Sequence, residues 1–441
     1  MKNKKILFIS LGCDKNLVDS EVMLGILADR GFEMTDTEDD ADIIIINTCC
    51  FINDAKEESI NTILEMAEYK KTGPCKALIV TGCLAQRYKQ EIVDEIPEVD
   101  AVIGTSKYDE IFDAVDQALK GSHFLDVDDL DRLPSVPGKR ILTTGGHYAH
   151  LKIAEGCDKH CTYCIIPYAR GRIRSKKTED VVNEVKRLAA SGCQEVVLTG
   201  IHLSSYGKER PEDQENLLTL IQAVHQVDGI ERIRLGSLEP SIITDEFIDR
   251  IVDNEKVCPH FHLSLQSGCN TVLKRMNRKY TCEEYFEKCE MLRKAFDRPA
   301  LTTDVIVGFP GETEEEFRET VDYLTKLNLY EMHIFKFSPR QGTVAAGMKD
   351  QVAPEIKNQR SDVLLALSER NKQAYEASFR GENLDVLVEE KVRREGKDGY
   401  RGHTERYMDI FVEEECMHRI CGRQTDIINH VVKIPYGVGV E

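Results

Sequence analysis

No stretch of this 441-residue chain approaches the roughly 18 uninterrupted apolar residues that a membrane-spanning helix needs, so the sequence does not read as a helical membrane protein. No fixed-period repeat runs through it, which excludes a solenoid. With 41% apolar and 31% charged residues it is not a disordered chain either. A secretory leader is not expected: MKNKKILFIS places lysines before an apolar run, but the run stops at Ser10 with Asp14 and Lys15 close behind, as in a first β-strand. No Ser-His-Asp or paired-carboxylate pattern competes for the chemistry, and the twelve histidines contain no H-x3-H pair at metal spacing. Positive charge is in short supply, 58 Lys plus Arg against 77 Asp plus Glu, for a net −19. That balance argues against broad nonspecific nucleic-acid binding.

Cysteine is abundant, with fifteen residues. A chain of this length builds its own cores, and without an export signal its thiols read as reduced and available to metals in the cytoplasm rather than as a disulfide framework. The charge is uneven. Residues 1–150 hold 16 basic and 28 acidic residues, whereas residues 151–380 hold 33 and 36. Nucleic acid, if bound, is therefore expected on the middle region, where Arg170–Lys177 and Leu273–Tyr280 are the two basic clusters; the plainer reading of each is a solvated face.

Apolar runs and amphipathic stretches alternate through residues 1–122: KILFIS, DIIIIN, ALIVTG and AVIG each precede a helical pattern, which predicts an open parallel α/β sheet. Residues 123–146 lack periodicity and read as a linker. Residues 147–380 repeat the pattern with six candidate strands at 151–156, 195–200, 232–237, 261–267, 302–308 and 332–338, predicting a partial (β/α)6 barrel with its chemistry at the carboxyl strand ends. Short β-like runs in residues 381–441 predict a small β-barrel.

The thiols fall into two ligand sets. Cys157, Cys161 and Cys164, in EGCDKHCTYC, form C-x3-C-x2-C directly after the first barrel strand. Zinc sites want four ligands, and no fourth stands at zinc-ribbon spacing. Three thiolates on a four-iron cluster instead leave one iron open to a substrate-like ligand. Cys13, Cys49 and Cys83 each follow a strand of the first region, at the ends where an open α/β sheet forms its crevice. They are either a second ligand set or three small buried apolar residues.

These motifs resemble the radical S-adenosylmethionine methylthiotransferases along nearly the whole chain. SLGCDKNLVDSE, NTCCFINDAKEESI and TGCLAQRY resemble the family's N-terminal domain, and the resemblance implies that Cys13, Cys49 and Cys83 hold an auxiliary [4Fe–4S] cluster. GCDKHCTYCIIP resembles the radical loop, implying a second [4Fe–4S] cluster on Cys157, Cys161 and Cys164. The last region resembles the TRAM domain. Up to about Ile166 the wording is that of the branch that modifies an aspartate of a small-subunit ribosomal protein. From Pro167 to about 415, YARGRIRS, LTGIHLSSYG, HFHLSLQSG and LTTDVIVGFPGE resemble the branch acting on threonylcarbamoyladenosine in tRNA.

The family's chemistry implies S-adenosylmethionine on the open iron, an electron donor, a radical that takes hydrogen from an unactivated C–H, and sulfur from the auxiliary cluster. Candidate cofactor contacts are Tyr163 beside the last ligand, Gly200 after the second barrel strand, Ser264 and Gln266 on the fourth, and Val307 on the fifth, ahead of a loop to Glu312. Because residues 167–415 carry the barrel and the final domain, the expected substrate is tRNA, with the ribosomal protein as alternative. A non-catalytic iron–sulfur or RNA-binding hybrid is the reading from another class. Oligomeric state is not legible.

Overall fold

The structure, a computed structural model, describes residues 4–135, 138, 140–422 and 426–437. It forms two compact units. One comprises residues 1–143, 154–176 and 340–343; the other comprises 144–153, 177–339 and 344–441.

In the first unit, β1 (Lys5–Ser10) leads into α1 (Asp14–Asp29), followed by β2 (Glu33–Thr35), β3 (Ile43–Thr48) and α2 (Asn53–Thr72). After these come β4 (Ala77–Gly82), α3 (Cys83–Arg87), α4 (Lys89–Glu95), β5 (Ala101–Ile103), α5 (Ile111–Leu119) and β6 (Phe124–Asp126). The six strands form one parallel sheet in the order β2-β1-β3-β4-β5-β6. Its central strands are apolar on both faces because both faces are covered. Ile43 and Ile45 face α1 and α5, while Ile44 and Ile46 face α2. Phe124–Asp126 falls where the sequence suggested a linker. Too short to show a period, it nevertheless pairs with β5 as the edge strand.

A strand order of 2-1-3 means that the chain crosses from one side of β1 to the other. The crevice of such a sheet opens beyond the carboxyl ends at that switch point. Cys13, Cys49 and Cys83 follow β1, β3 and β4, three neighbours at that point.

β7 (Tyr148–Glu155) is followed by α6 (Ile166–Arg170) and β8 (Arg174–Ser175). Within the first unit, Ala154 and Glu155 of β7 pair antiparallel with β8. The second unit continues through α7 (Thr178–Ala190), β9 (Glu195–Gly200), α8 (Leu217–His225), β10 (Arg232–Leu235), α9 (Asp245–Val252), β11 (His260–His262), α10 (Asn270–Arg275) and α11 (Cys282–Ala295). It goes on with β12 (Ala300–Val307), α12 (Glu314–Leu327), β13 (Glu331–Lys336) and α13 (Pro354–Ala377). The strands lie as β10-β9-β7 and β11-β12-β13, linked by single parallel bridges at Ile233 with Val257 and Leu238 with Leu263. This is the open six-stranded barrel read from the sequence. The fourth strand is shorter than its apolar run suggests. Regular pairing stops at His262, and Gln266 takes a left-handed φ of 79° that a continuous strand cannot hold.

The last strands, β14 (Asn383–Arg394), β15 (Lys397–Thr404), β16 (Asp409–Glu413) and β17 (Val431–Pro435), with α14 (Glu414–Cys421) before β17, make an antiparallel half-barrel in the order β16-β15-β14-β17. It packs on the amino-terminal ends of the barrel strands. Leu384, Ile410 and Ile434 share a core with Ala300 and Tyr330, and Arg232 donates to the carbonyls of Asp385 (2.7 Å) and His403 (3.2 Å). The chain's ending, KIPYGVGVE, runs past the described residues after Gly437. Among the described residues no helix is long and apolar enough to cross a membrane.

Candidate functional site

Cys13 is the N-cap of α1, and Gly12 before it has a φ of 93°. A Cβ on Gly12 would lie 2.6 Å from Cys49 Cβ and 2.9 Å from Cys49 Sγ, so the missing side chain is what lets the two cysteine turns approach. Ser59 fixes the Cys49 turn, accepting from the Cys49 amide and donating to its carbonyl, both at 3.0 Å. Asn16 ties the turns after β1 and β3 together by donating to the carbonyls of Leu11 (3.0 Å) and Thr48 (2.9 Å).

Cys83 opens α3, and its sulfur accepts from Arg170 Nε at 3.3 Å. Arg170 is 1% exposed. Its Nη1 meets Asp19 at 2.8 Å and Glu155 at 3.3 Å, and its Nη2 donates to Asn16. Burial pushes the Cys49 thiol up to about 11, with the neighbouring Cys83 and Cys13 adding to it. Burial raises Cys83 as well, and Arg170 works against that rise. Three thiols in mutual range, the two buried ones resisting ionisation alone and one of these beside a buried cation, fit a cationic iron–sulfur core that gathers all three as thiolates. Cys50, buried next to Cys49, donates to the Cys83 carbonyl at 3.3 Å.

Gly156 opens the second cysteine loop at a φ of 71°, where a Cβ would run into the Arg172 carbonyl oxygen. The Cys157 amide bonds the Gly171 carbonyl and the Cys164 amide bonds the Cys161 carbonyl, each at 3.0 Å. The loop is therefore a closed turn whose three cysteines are, as residues, half-buried. Burial, with smaller contributions from the thiols of Cys161 and Cys157, pushes Cys164 up to about 12. These residues too suit a cluster. Tyr163 is buried, and its carbonyl accepts from Arg340 Nη1 at 2.8 Å.

The other candidate contacts lie in the second unit, at carboxyl strand ends. Gly200 closes β9 and Val307 closes β12, both buried. Ser264 Oγ pairs with Ser237 Oγ at 2.7 Å, and the Gln266 amide donates to the Asp304 carbonyl at 2.8 Å. Glu312 folds back on its own loop, accepting from the Gly308 amide and pairing with Arg360, each at 2.6 Å.

Sequence reasoning missed several groups. Arg170 opens a basic cluster offered for nucleic acid, yet it is buried under Cys83. In the other cluster Arg275 pairs with Glu316 at 2.7 Å, so one arginine of each cluster is committed to pairing within the protein. His262, Asp304 and His333 stand on three adjacent strands with ligand atoms within 4.8 Å of one another, a grouping no local spacing reveals. Arg340 belongs to the same unit as the cysteines although 177 residues separate it from Tyr163.

Two family models match: the Uncharacterized protein family UPF0004 over residues 5–104 and the Radical SAM superfamily over residues 151–324. The chain is similar to the ribosomal protein uS12 methylthiotransferase RimO of Lachnoclostridium phytofermentans, with 47% identity over 92% of this chain and 91% of the relative. It is 41% identical to that of Acetivibrio thermocellus over 91% and 89%, and 39% identical to that of Clostridioides difficile over the same shares. Among solved structures, the cobalamin-bound radical S-adenosylmethionine methyltransferase TsrM of Kitasatospora setae shares the fold, at a TM-score of 0.57 and 16% identity over 78% of this chain and 77% of that one.

The relatives correct the expected substrate. They are uS12 enzymes, and the match runs far past Pro167, so the tRNA reading and the non-catalytic reading both fall. The fold supplies a physical reason. Three side chains of the tRNA-like wording make bonds within the barrel itself, Ser264 to Ser237, Ser204 to the Glu239 amide at 2.9 Å, and Glu312 to Arg360, so these three serve the scaffold and do not report what is bound.

Proposed function

This chain belongs to the radical S-adenosylmethionine methylthiotransferases, and on that premise we propose that it methylthiolates the β-carbon of an aspartate in ribosomal protein uS12, in the cytoplasm where ribosomes are. The enzyme uses two [4Fe–4S] clusters and S-adenosylmethionine. We assign one cluster to Cys157, Cys161 and Cys164 and the auxiliary one to Cys13, Cys49 and Cys83. Bound there, these groups supply reductive cleavage of the cofactor, hydrogen abstraction, and donation of sulfur and methyl.

The chain's own residues arrange and shield. Arg170 places a fixed positive charge against Cys83, and Gly12 keeps the Cys49 side open. The closed turn from Gly156 to Cys164 presents three thiols on one loop, and these three would hold a four-iron cluster to which the cofactor would bind. The assignment is carried by one observation: the first unit contains both cysteine sets, each in a turn that a Cβ on its glycine would disrupt. The substrate rests on the uS12 relatives. Reconstituted enzyme given S-adenosylmethionine, a low-potential reductant and uS12 is expected to yield methylthio-aspartate by peptide mass spectrometry. Unmodified uS12, with the cofactor still consumed, would refute the substrate.

A further inference from the structure

Arg340 lies on the segment that the fold returns to the first unit, residues 340–343, and it is held from three sides. Its Nη1 donates to the carbonyl of Tyr163, the residue before Cys164. Its guanidinium lies 4.7 Å from the ring centre of Phe51, two residues after Cys49. The next residue, Gln341, accepts from Arg87 at 2.9 Å, four residues after Cys83. The side chain thus stands between the loop of one cysteine set and the turn of the other.

It is also under-used. Among the described residues Nε is buried with no hydrogen-bond partner, Nη2 forms no bond, and no carboxylate pairs with the side chain. Burial lowers its pKa, more than the nearby Cys164, Tyr163 and Cys50 raise it. A desolvated guanidinium whose Nε–Nη2 edge is vacant matches one ligand chemistry best, a carboxylate gripped by two parallel N–H bonds.

We propose that Arg340 binds a carboxylate between the two cysteine sets, and that this carboxylate is the side chain of the substrate aspartate. The proposal rests on the uS12 reading. In an aspartate the carboxyl carbon is bonded directly to the β-carbon that loses hydrogen. Gripping the carboxylate therefore fixes the reacting carbon within one bond length, which a contact to the peptide backbone would not do. S-adenosylmethionine also carries a carboxylate, so the experiment separates the two sources.

The test uses the two-cluster enzyme, wild type, Arg340→Gln and Arg340→Lys, with iron content measured in each. Fluorescence anisotropy reads binding of a labelled uS12 peptide carrying the target aspartate, or asparagine in its place. Equilibrium dialysis reads S-adenosylmethionine. Wild type is expected to prefer the aspartate peptide by about tenfold or more, and Arg340→Gln to lose that preference with the asparagine peptide and S-adenosylmethionine unaffected. Arg340→Lys, which keeps the charge but not the fork, is expected to fall between, and it carries the comparison if the Gln variant loses its iron. A fall in S-adenosylmethionine affinity instead, with the aspartate preference intact or with no peptide bound by wild type, keeps a carboxylate site but gives it to the cofactor; the second case also refutes the uS12 reading. Unchanged affinity for all three ligands overturns the proposal.

Discussion

Arg170 Nε donates to Cys83 Sγ at 3.3 Å across 87 residues of chain, which makes a single guanidinium both a partner of the auxiliary cysteines and the counter-charge for two buried carboxylates. Asp19 and Glu155 are 3% and 2% exposed, so removing the cation takes a counter-charge from two buried carboxylates. Arg170→Gln is expected to destabilise the metal-free protein by about 3–5 kcal/mol in urea denaturation. A change of less than about 1 kcal/mol would show that these carboxylates are served by other partners.

Gly12→Ala should act on one cysteine set alone. A φ of 93° disfavours any residue with a Cβ, and that Cβ would press on Cys49. The expected product holds about four irons per chain where wild type holds about eight, and still cleaves S-adenosylmethionine. Iron and sulfide analysis with a deoxyadenosine assay checks both halves.

A buried ionic group joins the barrel to the half-barrel. Glu195 pairs with Arg234 at 2.6 Å and with His403 at 2.9 Å, and His403 also meets Glu389. Burial opposes charge on His403, but Glu195 and Glu389 outweigh it and raise its pKa. Glu195, against its own burial, is held well below the usual carboxylate range by Arg234 and His403. The raised histidine contributes stability in full below about pH 6.5, lost as pH climbs through its folded value. The depressed glutamate contributes above about pH 4.5, lost as pH falls through its own. Thermal midpoints should therefore decline as pH rises above about 6.5, and His403→Gln should flatten that decline. A variant with the wild-type slope would remove His403 from the explanation.

Much of the fold and of the site is legible locally. A strand shows in four to eight residues, so the positions of Cys13, Cys49 and Cys83 just past strand ends, and the loop of Cys157, Cys161 and Cys164, are readable from the residues alone. The order of the strands is not, and it is the order that makes β1, β3 and β4 neighbours. The two arginines are invisible for the same reason. Arg170 reads as part of a solvated basic run because nothing near it in sequence announces Asp19, and Arg340 meets Tyr163 only through the tertiary fold. Substrate wording misleads where motif residues bond one another within the barrel.

The central claim is a division of labour between two cysteine sets, and product analysis of Cys161→Ala and Cys49→Ala tests it most directly. Cys161→Ala is expected to form no deoxyadenosine. Cys49→Ala is expected to form deoxyadenosine at a rate near wild type and to leave uS12 without a methylthio group. Loss of deoxyadenosine to the same extent in both variants would contradict the account.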